Sequence, residues 1–117
     1  MAVFRGLGCV GDKVLERLSV ILNNNIRKSD ILARWGGEEF VIAFYDTNLE
    51  LSEHIAEKIR KSVEEDTVLY SLVSYKVTSS FGLTMLKETD SVTSMFQRLD
   101  EALYKAKEMG RNQVNIF

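Results

Sequence analysis

The chain's 117 residues, 45% hydrophobic and 27% charged, are one domain's worth of polymer and match neither a disordered tail nor a membrane protein. Fifteen Lys and Arg against 17 Asp and Glu leave a net charge of −2, which supplies no basic field for a nucleic-acid duplex. The single Cys9 excludes an internal disulfide, and no run approaches the ~20 apolar residues of a membrane span.

The first eleven residues hold three glycines among apolar residues and read as an abrupt beginning, without signal-peptide character. From Val14 to Ile26, apolar residues at Val14, Leu15, Leu18, Ile21, Leu22 and Ile26 predict a helix with one buried stripe. Ile31 to Trp35 and Phe40 to Tyr45 are two short apolar runs. Thr47 and Glu50 have capping-box spacing and would start a helix through Leu51, Ile55, Ile59 and Val63. Val77 to Met85 alternates at strand period, with Val77, Ser79, Phe81, Leu83 and Met85 on one face. A further helix spans about Val92 to Met109, ended by Gly110, and Gln113 to Phe117 closes the chain as a strand. The predicted order is helix, strand, strand, helix, strand, helix, strand. Because the first two strands are joined too tightly to be parallel, the expected fold is mixed α/β with a largely antiparallel sheet.

The stretch Trp35-Gly36-Gly37-Glu38-Glu39-Phe40 carries the chemistry. Two apolar runs separated by Gly-Gly signal a hairpin, since a tight turn of the favoured type needs positive φ at both central positions. Glycine also lets a ligand's phosphate or sugar approach the backbone. Successive strand residues face opposite ways, so only one of Glu38 and Glu39 can face a ligand on a given side. A carboxylate beside such a turn suits Mg²⁺ carried by a nucleotide. The residues by themselves are equally compatible with a plain hairpin tip bearing two solvated glutamates.

Gly36-Gly37-Glu38-Glu39-Phe40 resembles the signature of GGDEF-domain diguanylate cyclases, with Glu at the variable third position. Arg27-Lys28-Ser29-Asp30 is similar to the family's RxxD inhibitory site, and Gly11-Asp12 before Val14-Leu15 to its guanine-reading helix start. Val77 to Gly82 resembles the family's core strand, and Leu99 to Lys107 with Gly110-Arg111-Asn112 its C-terminal block. The match covers about residues 11–117, with 1–10 atypical, and the whole chain reads as one partial domain. The resemblance implies a ferredoxin-like, nucleotide-cyclase or palm-type sheet flanked by helices. It also implies condensation of two GTP into cyclic di-GMP with release of pyrophosphate, supported by Mg²⁺ or Mn²⁺, across a homodimer whose two faces complete the active site.

Carried over residue by residue, Glu38 would bind metal, and Glu38 and Glu39 are the catalytic signature pair. Gly36 and Gly37 would make room for nucleotide, and Asp12 would accept from the guanine edge. Lys107 and Arg111 would hold the triphosphate, and Arg27 and Asp30 the inhibitory product. Each also has a bland reading: Asp12 as a helix N-cap, Lys107 as a cation at a helix C-terminus, Arg27 with Asp30 as a surface ion pair. His54 reads as solvated surface, Cys9 and Trp35 as packing residues, and Glu64-Glu65-Asp66 as a solvated helix end.

The sequence departs from the family at its start. The family opens with a central strand carrying Asp-x-Asp-x-x-Phe-Lys, then a helix with a guanine-reading Asn, then Gly-His; this chain has Leu7-Gly8 where Gly-His would stand. The first central strand is therefore expected to be missing, with Ala2-Val3-Phe4 filling part of its place. Its loss would expose strand edges and favour a dimer formed by strand exchange. The chain is expected to be a truncated or degenerate cyclase domain, inactive by itself and cytoplasmic, with a sensory domain elsewhere in the parent protein. The competing expectations are a non-catalytic cyclic di-GMP receptor acting through Arg27 and Asp30, and a dimerisation module without ligand.

Overall fold

A computed structural model describes residues 2–7, 12–36 and 39–117, with the side chains of 12–34 and 39–117. The elements are β1 (Ala2–Leu7), α1 (Asp12–Asn24), β2 (Ile31–Gly36), β3 (Glu39–Phe44), α2 (Leu49–Glu64), α3 (Thr67–Val73), β4 (Ser80–Met85), α4 (Val92–Glu108) and β5 (Val114–Ile116). The five strands form one sheet in the order β2-β3-β1-β4-β5, antiparallel except for β4 with β5.

The largest difference from the sequence reading is β1. Ala2–Leu7 occupies the middle of the sheet, with Val3 opposite Ala43 on one side and Thr84 on the other. The central strand expected to be missing is thus present, and its place is filled along six residues rather than three. Both edges expected to lie open, those of β3 and β4, pair with this strand, because each presents a row of backbone groups that a short apolar segment can satisfy. The premise for strand exchange is thereby removed.

Helices cover both faces of the sheet. On one face, Val14, Leu15, Leu18, Ile21 and Leu22 of α1 and Ala56, Ile59 and Val63 of α2 join Phe40, Ile42, Phe44, Phe81 and Leu83 in the main core. On the other, Met95 and Leu99 of α4 pack against Val41. This two-sided cover explains why β4 is buried from Ser80 to Thr84 instead of alternating as predicted. Gly82 lets the two elements come close: a Cβ there would lie 2.7 Å from the Leu99 carbonyl oxygen and 2.8 Å from the Leu103 nitrogen.

Caps set the helix limits. Asn48, not Thr47, caps α2, its carboxamide oxygen accepting from the Leu51 amide at 2.8 Å, while the Thr47 hydroxyl is engaged with Ser52 Oγ at 3.1 Å. The acidic run after α2 is not merely solvated. Asp66 caps the short α3 and receives both Nε and Nη2 of Arg17 at 3.0 and 2.7 Å, which holds its carboxyl below the usual range. Ser91 and Ser94 form a reciprocal capping box at the start of α4. Ser91→Ala is expected to cost about 1 kcal/mol, read as a fall of several degrees in the thermal midpoint; an unchanged midpoint would show that the cap contributes nothing. Among the described residues no helix is long and apolar enough to cross a membrane.

Candidate functional site

The strand register brings the signature residues to one end of the sheet. Gly36 pairs with Glu39, Glu39 with Leu7, and Leu7 with Ser80, one row across four strands. Neighbouring members of such a row are about 4.8 Å apart. The β2 register shifts between Arg34 and Gly36, so Trp35 is a bulge immediately before Gly36. Gly37 and Glu38, and with them the expected metal ligand, lie outside the described residues, as does Cys9. Glu39, at the start of β3, is half-buried.

The C-terminal block reaches the same row. Helix α4 ends in a Schellman pattern: Gly110 has φ 110°, the Arg111 amide donates to the Ala106 carbonyl at 2.9 Å, and the Gly110 amide to that of Lys107 at 3.4 Å. The chain then stays left-handed, with φ 60° at Arg111 and 48° at Asn112. Each such non-glycine residue costs on the order of 1–2 kcal/mol, so the turn persists only because other groups hold it. The Asn112 amide donates to Ser80 Oγ at 3.0 Å, pinning the turn to the row. Lys107 is half-buried in the last turn of α4 and Arg111 is exposed, and neither forms an ion pair with a described residue. Two uncommitted cations at this end suit an anionic group.

Asp12 opens α1, one short connection after Leu7. With Leu15, Glu16, Ser19 and Arg34 it lines a cleft of about 240 Å³ between α1 and β2. The cleft offers an apolar wall in Leu15 and hydrogen-bonding groups at the rim.

Arg27 and Asp30 stand at the opposite end of the hairpin, where Ile31 pairs with Ala43. Five residues of β2 separate that end from Gly36, about 17 Å of extended chain. Their pairing differs from a surface ion pair. The Asp30 side chain is fully buried and accepts from the Arg27 amide at 2.9 Å, from the Tyr45 amide at 3.3 Å, and from the Arg27 guanidinium at 3.3–3.4 Å. Arg27 is half-exposed and also donates through Nη2 to the Tyr45 carbonyl. Asp30 thus clasps the turn before β2 to the end of β3. His54 is exposed on α2, as expected.

A family model for the diguanylate cyclase GGDEF domain matches residues 7–113. The chain is 39% identical over 107 residues to Diguanylate cyclase A of Treponema denticola, covering 91% of this chain and 29% of that protein. This chain is a GGDEF domain. It is also 41% identical over 111 residues to the Probable diguanylate cyclase DgcT of Escherichia coli, covering 92% of this chain and 24% of that protein. Among solved structures, the active GGEEF domain of a diguanylate cyclase from Vibrio cholerae superposes with a TM-score of 0.87 at 28% identity, over 99% of this chain and 81% of that one. This GGDEF domain spans about a quarter of the length of the curated relatives it matches.

Of the residues predicted from sequence, the GGDEF fold brings Gly36, Glu39, Asp12 and Arg111 to one end and places Arg27 and Asp30 at the other. Ser80 and Asn112 were assigned no role from sequence. Asn112 stands inside the Gly110-Arg111-Asn112 block, but nothing local to it signals the contacts it makes. The family is one of divalent-metal enzymes, and among the described residues no three His, Cys, Asp or Glu side chains cluster to hold a metal ion. The central strand, Ala2–Leu7, contains no carboxylate.

Proposed function

We propose that this domain binds GTP at the row of Gly36, Glu39, Ser80 and Asn112, and in its parent protein condenses two GTP into cyclic di-GMP. The observation that supports the reading is the strand register, which sets Gly36, Glu39 and Ser80 in one row at the end of the sheet, with the Arg111 turn pinned to it through Asn112. The reaction needs little acid–base machinery from the chain. Each 3′-hydroxyl oxygen bonds to the α-phosphorus of the other GTP and gives its proton to solvent, the bond from each α-phosphorus to its bridging oxygen breaks, and two pyrophosphates leave. The protein orients the nucleotides and neutralises charge. Asp12 accepts from guanine, Lys107 and Arg111 hold the triphosphate, and two domains related by a two-fold axis present their nucleotides to each other.

Mg²⁺ or Mn²⁺ would arrive on the nucleotide, with Glu38 as its protein carboxylate; Mg²⁺ commonly takes one or two carboxylates plus substrate phosphates. Bound there, it would neutralise charge on the phosphates. Since β1 brings no second carboxylate, turnover by this chain alone is expected to be slight. The reading sets the domain in the cytoplasm, where GTP is found, under a sensory domain elsewhere in the parent.

That carboxylate-free central strand also favours a second reading, a receptor that binds cyclic di-GMP through Arg27 and Asp30 without catalysis. Calorimetry with GTP and Mg²⁺, followed by chromatography of the products, tests both. GTP binding is expected to weaken ten- to a hundredfold in Arg111→Ala, the equivalent of about 1.5–3 kcal/mol for a hydrogen bond to a charged group. GTP turnover above background would exclude a pure receptor. Cyclic di-GMP binding with no response to GTP would leave the receptor reading alone, and no heat from either nucleotide would overturn both.

A further inference from the structure

We infer that Asn112 is a positioning residue for the triphosphate: its side chain locks the left-handed turn that presents Arg111. The inference rests on the GTP reading above and adds to it a device remote from the signature turn.

Three consecutive residues, Gly110, Arg111 and Asn112, have positive φ, and only the first is a glycine. A side chain on Arg111 or Asn112 makes extended or right-helical backbone the easier choice for a free chain, so something must hold the turn. Asn is among the residues that best tolerate this conformation. Here both ends of its carboxamide are engaged. Asn112 Oδ1 accepts from Arg60 Nη1 at 2.9 Å, and Nδ2 donates to Glu64 Oε2. Arg60 is itself fixed on α2 by Glu57 Oε1 and Glu64 Oε2, at 2.5 and 3.2 Å, and its side chain is only 13% exposed. Donation from Asn112 and the nearby Lys76 and Arg60 cations hold the Glu64 carboxyl below its ordinary range.

The two peptide groups beside Arg111 are held as well. Its amide donates to Ala106, the next amide donates to Ser80 Oγ, and Gln113 Nε2 donates to the Arg111 carbonyl at 3.2 Å. Backbone direction at Arg111 is therefore set from three sides, by α4, β4 and α2, while its guanidinium is left exposed. A long cation on a fixed stem loses less freedom on binding than one on a loose loop, and the saving appears as affinity for the anion. Asn112 links the turn to α2 through its side chain, from the residue adjoining Arg111.

Calorimetric titration of the folded chain with GTP and Mg²⁺, guanosine and cyclic di-GMP tests this in Asn112→Gly, Arg111→Ala and the double variant. Glycine keeps the left-handed backbone and removes the clamp. Expected is a three- to tenfold loss of GTP affinity in Asn112→Gly, with guanosine and cyclic di-GMP affinities unchanged. The double variant should bind GTP no more weakly than Arg111→Ala, because a clamp acting through Arg111 has nothing left to position. A merely structural role would move all three ligands or add to the Arg111 effect. GTP affinity unchanged in Asn112→Gly, or losses that multiply in the double variant, would overturn the inference and leave the GTP reading standing. GTP affinity unchanged in Arg111→Ala would overturn both. Should Asn112→Gly fail to fold, Glu64→Ala carries the same test with an expected two- to threefold loss confined to GTP, and unchanged GTP affinity there would overturn the inference.

Discussion

Gly82→Ala should lower the unfolding free energy by about 3 kcal/mol, at the upper end of what an extra methyl costs in a well-packed core. The added Cβ would meet the Leu99 carbonyl oxygen at 2.7 Å, the Leu103 nitrogen at 2.8 Å and the Ala102 Cβ at 3.1 Å. Two of these are helix backbone, which cannot rotate aside as a side chain can. Helix α4 would have to lift from β4, opening the contacts of Met95 and Leu99 with Val41 on that face of the sheet. Urea denaturation measures the loss. Leu86→Ala, at a half-exposed position just past β4, serves as a comparison expected to stay within about 0.5 kcal/mol. A Gly82→Ala midpoint no lower than that of Leu86→Ala would show that α4 does not sit this close.

Arg27→Ala and Asp30→Ala should separate binding from folding at the other end of the sheet. In Arg27→Ala the Asp30 carboxylate keeps the amide of residue 27 and that of Tyr45, so the clasp largely survives. Cyclic di-GMP affinity is expected to fall ten- to a hundredfold, the equivalent of about 1.5–3 kcal/mol for hydrogen bonds to a charged group. In Asp30→Ala those two amides lose their acceptor, and a stability loss of about 1–3 kcal/mol is expected on top of any binding effect. Thermal melts beside calorimetry distinguish the two. If Asp30→Ala melts with the wild type, the buried clasp contributes nothing; if cyclic di-GMP binds equally well to Arg27→Ala, the product site is elsewhere. The practical consequence is that lost binding in Asp30→Ala does not by itself demonstrate a contact between Asp30 and the nucleotide.

Much of the fold was legible where one element buries one face. The stripe Val14, Leu15, Leu18, Ile21 and Leu22 marks α1, and the run ending at Gly110 marks α4, because helical periodicity and a C-terminal glycine are local signals. The hairpin was visible for the same reason, and its two strands pair as antiparallel neighbours, but Gly36, expected in the turn, is the last residue of β2 and pairs with Glu39. Helix α3 was not seen, since seven residues hold too little periodicity to stand out. The cap of α2 was placed one residue early because Thr47 and Asn48 are both competent, and only the packed structure shows Thr47 engaged by Ser52.

The candidate site divides in the same way. The family resemblance proposed Gly36, Gly37, Glu38, Glu39, Asp12, Lys107 and Arg111 for the nucleotide, and Arg27 with Asp30 for the product. By itself the sequence determined the family, the helix stripes and the absence of a carboxylate from Ala2–Leu7, all of which are properties of residue identity and short spacing. Tertiary structure decided that this apolar segment takes the middle of the sheet, that β4 is covered on both faces, that Asp30 is buried, and that Asn112 clamps the Arg111 turn to α2. The reason is sequence distance. A strand's partners, a carboxylate's burial and a hydrogen bond between Arg60 and Asn112 across 52 residues depend on which segments meet after folding, and no local pattern encodes that meeting.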